Sequence, residues 1–257
     1  MITETDPRVT ARINLDAVLA TLPELVRLAP EAHAIALRDP RPTSIGFAVR
    51  GGPRSVLTFR DGMVEHRAGS AAATILLPFT SPAAFTKVID GAAQPIPVTG
   101  LHRITFLLKV FAPLATLLGR YLKPSEADLA DPAFREASTI LTLHTATAAV
   151  AQVANHDVSG QFSAHLVPDG DVVLEVLGSV SYTLRVADHH FTFVPQATAS
   201  PRAALTFADL DVAGRLLTGE ASAMACICDG SMSMRGMLPM VDNVNRILDR
   251  VGQYLGE

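Results

Sequence analysis

Few side chains in this sequence have the type and spacing that chemistry requires. Eight histidines are present, but none stands in a His-x-x-x-His pair beside a carboxylate, the spacing that places two imidazoles on one helix face for zinc. No metal ion or cofactor is therefore expected. His189-His190 falls at an expected hairpin end, where solvated histidine is ordinary. His102 and His144 lie on apolar helical stretches that a pocket could reach, where an imidazole could move a proton. Packing in a core is the commoner use of a lone histidine on such a stretch. Asp242, with Asn243 beside it, stands near the start of the last helix, where a cap or helix-dipole role is the simplest expectation. A phosphate-binding glycine loop, a nucleophile elbow and a Cys/His pair are all missing from the sequence. The expected catalytic set is thus empty, with His102, His144 and Asp242 as weak candidates.

The other reactive side chains are sulfurs. Cys226 and Cys228 are the only two cysteines. One residue apart in an expected strand, they share a face and are too close for an unstrained bridge. Free thiols in a reducing, cytoplasmic compartment are the expectation. Five of the seven methionines fall between Met224 and Met240. Flexible thioethers fill irregular gaps and adapt to variable apolar partners. They suit either the sheet core under the last helix or the wall of a hydrophobic ligand site. The second use would join Met232, Met234, Met237, Met240, Val244 and Leu248 to Phe207 and Leu216 in one wall.

The elements that must position these residues can be read from hydrophobic period. Met237, Met240, Val241, Val244, Ile247, Leu248, Val251, Tyr254 and Leu255 recur every three or four positions, while Asp242, Asn243, Arg246, Asp249, Arg250 and Gln253 fill the opposite face. This is one apolar stripe on a helix. Upstream, Ala203 to Phe207 reads as a strand, a short helix ends at Leu217-Thr218-Gly219, and Ala223 to Met234 alternates as a strand would. At the other end of the chain, Leu15 to Leu28 carries a helical stripe, with Pro23 expected to bend or restart it and Thr21 and Glu24 placed as a capping box. Strands are expected at His33 to Leu37, Thr43 to Val49, Ser55 to Arg60, Met63 to Arg67 and Ala73 to Phe79, with Asp61-Gly62 as a hairpin turn. A helix opens at Ser81-Pro82, a short strand covers Pro95 to Val98, and a helix from about Leu101 to Leu122 is apolar nearly all round. Burial between two halves of the chain is the default for such a helix. After a linker around Lys123 to Pro132, a helix runs to about Val153. Strands are then expected at Gln161 to Val167, Val172 to Leu177, Ser181 to Val186 and His190 to Val194.

Bulk properties bound the function. A chain of 257 residues, 49% of them hydrophobic, can bury one large core or two ordinary ones. The net charge of −4 offers no footprint for nucleic acid. Met1 to Pro7 is acidic and polar and does not read as a secretory signal, and Leu255-Gly256-Glu257 is not a peroxisomal tripeptide. A soluble protein is expected.

The chain also repeats itself. Ile75 to Phe79 matches Ala203 to Phe207, and Val88 to Gly91 matches Leu216 to Gly219. Ile96 to Gly100 matches Met232 to Gly236, and Gly119 to Leu122 matches Gly252 to Leu255. Four matches in one order, at nearly the same separation, argue for a duplicated unit. The expected architecture is α+β: two tandem repeats, residues 1–122 and 123–257, each a curved antiparallel sheet of about five strands covered by helices.

The hairpin Leu57 to Val64, the strand Ala73 to Ile75, the helix end Asp90-Gly91 and Gly100 resemble the sterol carrier protein (type two) domain family. So do Ala204 to Phe207, Thr218-Gly219-Glu220, Asp229-Gly230 and Met234-Arg235-Gly236 in the second half. The resemblance implies an apolar tunnel between sheet and helices that takes sterols, acyl chains, quinones or similar molecules, and no catalytic residues. Two departures stand out: the pairing of two such domains, and about eight residues missing between Gly91 and Ile96. The leading expectation is a soluble carrier of a hydrophobic small molecule, with transient membrane contact left open, no nucleic-acid partner and an undetermined oligomeric state. An isomerase or cyclase using the same cavity is the alternative. A structural protein that docks its apolar helix 101–122 on another chain is the third.

Overall fold

The computed structural model describes residues 4–70 and 72–256. Met1 to Thr3 and Glu257, parts of the segments read above for targeting, lie outside them. The chain divides into two compact units, Thr5–Ala130 and Asp131–Glu257, the latter including Glu4.

In the first unit, α1 (Pro7–Ile13) starts on Asp6, whose carboxylate accepts the Arg8 N–H at 2.7 Å. Helix continues as a π-helical turn, Asn14–Val18, and a 3-10 turn, Leu19–Thr21, into α2 (Leu22–Leu28). The helix restarts there as expected: α2 begins at Leu22, with Pro23 in its first turn. Thr21 makes no cap; its hydroxyl donates to the Ala17 carbonyl at 2.8 Å, and the tighter turn before it admits the proline. Helix α3 (Pro30–Ala36) replaces the strand expected at His33 to Leu37. Pro30 at the first helical position and three alanines favour helix over that short alternation.

Strands β1 (Thr43–Val49), β2 (Arg54–Arg60), β3 (Met63–Ala68) and β4 (Ile75–Phe79) form a sheet in the order β3-β2-β1-β4. Asp61 and Gly62 turn the second hairpin in the left-handed region, at φ 51° and 74°. The sheet is mixed, not antiparallel as expected: β4 lies parallel to β1 with Ile45 opposite Ile75. After β3 the chain crosses to the other edge instead of making another hairpin. Helix α4 (Pro82–Ile89) is capped by Ser81. The strand expected at Pro95 to Val98 is reduced to one bridge, Leu76 to Thr99. Gly100 (φ 76°) then leads through a 3-10 turn, α5 (Ile104–Phe106) and a π-helical turn into α6 (Ala112–Leu122). Part of the expected linker forms α7 (Glu126–Leu129), closed by a Ser125/Asp128 capping box.

The second unit opens with α8 (Pro132–His156), capped by Asp131, and α9 (Val158–Ala164), capped by Asp157. Helix α9 stands where a strand was expected at Gln161 to Val167. The Asp157 carboxylate accepts the N–H groups of Ser159 and Gly160, each at 2.9 Å, and starts a helix there. Strands β5 (Gly170–Val176), β6 (Ser181–Ala187) and β7 (His190–Val194) follow, then β8 (Ala203–Phe207) and α10 (Leu210–Leu217). Next come α11 (Ala223–Cys228), β9 (Met232–Gly236) and α12 (Leu238–Leu255). The sheet order is β7-β6-β5-β8-β9, with β5 and β8 parallel.

The two units repeat one another in the strands and in the short helix that follows the fourth. β1, β2 and β3 begin at Thr43, Arg54 and Met63, and β5, β6 and β7 at Gly170, Ser181 and His190, the same offset each time. β4 and α4 stand before β8 and α10 at that offset plus one residue. Equivalent backbone positions share rare geometry: Gly51 and Gly178 have φ 70° and 74°, Gly91 and Gly219 73° and 75°. The bridge from Leu76 to Thr99 recurs as Ala204 opposite Arg235. Tyr121 donates to Glu31 at 2.6 Å in the first repeat, and Tyr254 to Asp157 at 2.7 Å in the second. Each tyrosine thus ties the closing helix to a carboxylate at the start of α3 or α9. The fold is α+β with two repeats.

Candidate functional site

The expected ligand wall lies in the second repeat, on β8, β9, α10 and α12. Opposed residues of an antiparallel pair share a face, so Met232 opposite Phe207 and Met234 opposite Leu205 point to the side covered by helices. Met232, Phe207, Met240 and Val244 are buried. Leu216, Met237 and Leu248 are half-buried, and Met234 is 37% exposed at the sheet edge. Helix α12 packs on β8 and β9, and α11 packs on β9. In burial the eight residues range from closed core to exposed sheet edge, and Met224 on α11 and Leu238 at the start of α12 are 69% and 59% exposed.

Helix α11 is the principal departure from the expected strand over Ala223 to Met234. Ser222 caps it through the Ala225 N–H at 3.1 Å, and its alanines favour helix. On a helix, residues two apart point to different sides. Cys226 is accordingly buried and Cys228 exposed, not on one face as expected, though both are free thiols. The helix accounts for the residues that the first repeat lacks between Gly91 and Ile96.

The three candidate acid–base residues stand in different settings. His102 is exposed in the 3-10 turn after Gly100. His144 is buried on α8, with its ring edge-on to Phe193 at 4.9 Å and to Tyr182 at 5.4 Å. Asp242 is exposed and pairs with Arg246 at 3.0 Å. Neither Asp242 nor Asn243 caps α12, which starts at Leu238 with no side-chain cap; Asn243 donates to the Pro239 carbonyl at 2.9 Å.

The helical stretch Leu101–Leu122 is long and apolar enough, by length and composition, to cross a membrane. It is not buried all round as expected. Phe106, Leu107, Val110, Leu114, Leu118 and Tyr121 are buried, whereas Leu101 and Leu108 are each 65% exposed. Arg103, near its start, is held by Asp39 at 3.1 Å and by the Thr43 hydroxyl.

A buried polar group that sequence reading missed lies in the first repeat. Asp16, on the π-helical turn, places Oδ1 3.7 Å from Nε2 of His66 on β3. Both atoms are buried without a hydrogen-bond partner among the described residues, as is Oγ of Ser55 on β2. His66 lies opposite Leu57, two residues from Ser55, so Ser55 and His66 share the face that meets Asp16. Burial raises the Asp16 carboxyl to about 6, opposed by the Arg12 charge, and lowers the His66 imidazole to about 4. At neutral pH the imidazole is uncharged, so the contact is not an ion pair. The available signal was alternation: Val64 and His66 occupy one face of β3, and Val64 is buried there.

No family model and no curated protein matches the chain. Among solved structures, a UbiJ-SCP2 ubiquinone synthesis protein is similar at 16% identity and a TM-score of 0.32, covering 40% of this chain and 93% of its own. Sterol carrier protein 2 like 2 from Aedes aegypti is similar at 12% identity and a TM-score of 0.30, covering 42% of this chain and 93% of its own.

Proposed function

We propose that the protein is a cytoplasmic carrier of a hydrophobic small molecule, built from two tandem sterol-carrier-like repeats, with the ligand held in the second. The observation that carries this reading is the graded methionine corner. Met232 and Met240 are closed into the core, while Met234, Met237 and Leu216 lead outward to exposed Met224 and Leu238. Adaptable thioethers at the mouth of an apolar region suit a guest of variable shape. Burying ~400 Å² of apolar ligand at ~25 cal/mol/Å² yields ~10 kcal/mol before association costs, enough for micromolar binding without specific polar contacts. Exposed Leu101, Ile104 and Leu108 would meet lipid during a transient membrane contact.

The test is uptake of a fluorescent fatty acid. Met234→Glu places a charge at the mouth at little structural cost and should abolish uptake. Val244→Phe overpacks the wall and should weaken uptake while most of the stability remains. Parent-like uptake by both variants, together with its loss on changing Phe106 or Phe111, would move the cavity to the first repeat.

A further inference from the structure

From Gly91 to Ser125 the sequence carries no aspartate or glutamate, while it holds Arg103, Lys109, Arg120 and Lys123. In a chain of net charge −4 that is a local reversal of sign. The same stretch leaves large apolar side chains in water. Ile96 and Val98 are 78% and 63% exposed, and Leu101, Ile104 and Leu108 follow them. The last three recur at spacings of three and four, which puts them on one side of the helix, and Ala112, one turn on, is exposed as well. Single exposed apolar side chains need no explanation. Five within one acid-free stretch form a face that water alone does not suit.

The other side of this helix is fixed. Phe106 meets Phe59 edge-on at 5.1 Å, Phe111 meets Phe47 at 5.8 Å, and Tyr121 donates to Glu31. Val110, Leu114 and Leu118 are buried beside them. Spanning a bilayer would tear these side chains out of the core. The helix thus offers only its outer face, as a helix lying in the lipid interface does.

The cations sort in the same way. Asp39 holds Arg103, and Asp128 holds Arg120. Arg38, Lys109 and Lys123 are exposed and take part in none of the ion pairs among the described residues. The Arg38 guanidinium donates to the Lys109 carbonyl at 3.4 Å, so these two stand together next to Leu108. The second repeat lacks this combination. Its closing helix α12 also exposes Leu238, but the next outward positions are Asp242, Arg246 and Asp249, a face of both signs.

We propose that the face from Ile96 to Leu108, with Arg38 and Lys109 at its rim, docks on membranes containing anionic phospholipid. The apolar side chains enter the interface, and the two cations meet the headgroup phosphates. The inference rests on the carrier reading, whose membrane contact it assigns to one face and one class of lipid.

The experiment is flotation of the full chain with vesicles of phosphatidylcholine alone, and with vesicles of phosphatidylcholine mixed with phosphatidylserine. The parent should bind the mixed vesicles about tenfold or more tightly than the neutral ones, and added salt should reduce the difference. Lys109→Gln should weaken binding to mixed vesicles about fivefold and leave the neutral ones unchanged. Leu101→Ser/Leu108→Ser should weaken binding to both kinds about tenfold or more. All three positions are exposed, and circular dichroism checks that each variant folds. Equal binding of the parent to both vesicles, or parent-like binding by the leucine variant, would overturn the proposal. So would a parent dimer in sedimentation velocity that the leucine variant dissociates, since the face would then be covered by a second copy. Uptake of the fluorescent fatty acid, measured without vesicles, separates the two readings. A parent that takes up the fatty acid but ignores anionic vesicles would overturn this proposal alone. A parent that binds the vesicles but takes up no fatty acid would overturn the carrier reading and leave the docking face standing.

Discussion

Replacing His66 with phenylalanine, the residue at the same place in the second repeat, separates two opposed titrations. Burial holds the Asp16 carboxyl at about 6 against an ordinary 3.8. The native state therefore binds the proton more tightly than the unfolded chain. The resulting penalty is complete above pH 6 and disappears as pH falls toward 3.8. Burial holds the His66 imidazole at about 4 against 6.5. Here the unfolded chain takes the proton first, so stability is lost as pH falls from 6.5 toward 4. Each group is displaced by roughly two pH units, which corresponds to about 3 kcal/mol. Between pH 4 and 6.5 the two nearly cancel. In His66→Phe the Asp16 contribution stands alone. The difference in unfolding free energy, variant minus parent, should then rise by about 3 kcal/mol between pH 7 and pH 4, because all other titrating groups subtract out. Asp16→Asn should give a difference of opposite sign. Urea unfolding followed by circular dichroism at several pH values measures both. The nearby charges do not blur the outcome: Arg12 lowers the Asp16 value in parent and variant alike, and Glu65 and Arg67 lie on the outer face of β3. Differences that stay flat across this range would refute the claim that Asp16 and His66 are desolvated.

Gly100→Ala and Gly236→Ala should each destabilise the protein by about 1–3 kcal/mol or more in chemical denaturation, because both sites have positive φ and the new Cβ overlaps the Thr74 or Arg202 carbonyl oxygen. Ellman's reagent should titrate Cys228 in the native protein and both thiols only after unfolding; two equally fast thiols would contradict the helical placement of Cys226. Arg250→Met should cost about 3–5 kcal/mol in urea unfolding, since Asp157 then keeps a buried charge with only Tyr254 and backbone N–H partners.

The duplication was legible because turn chemistry is local. Asp61-Gly62, Asp90-Gly91 and Gly100 demand particular backbone angles whatever packs around them, and the order of such signals survives divergence of the strands between them. The mixed sheet was not legible. Whether a strand joins parallel or antiparallel depends on the edge to which its connection returns, and nothing in residues 69–74 encodes that edge. Two expected strands, at His33 to Leu37 and Gln161 to Val167, are short helices whose starts are set by Pro30 and Asp157. Their apolar alternation spans only a few residues, too short for period alone to separate strand from helix. Ala223 to Met234 departs for a related reason: alternating small and apolar residues fit a strand, but Ser222 supplies a cap and alanine loses little entropy in a helix.

The ligand wall was only partly legible, since spacing identifies the buried stripe of α12 but cannot say where that stripe ends in solvent. Met240, Val244 and Met232 had to be core; that Met234 and Leu238 stand open depends on β9 being the last strand of its sheet. The polar group of the first repeat was hidden more deeply. Asp16, Ser55 and His66 come from a helix and two strands far apart in the chain, and each is individually ordinary. Only the repeat makes them conspicuous. The constant offset sets Tyr182 and Phe193 where Ser55 and His66 stand, and the second repeat also buries a hydroxyl on that face, the one on Tyr182. Both copies of the fold thus bury polar atoms at the same sheet positions, and what differs is the company they keep: rings in the second repeat, a carboxyl and an imidazole in the first. Each such atom lowers stability wherever its hydrogen bonds are not returned.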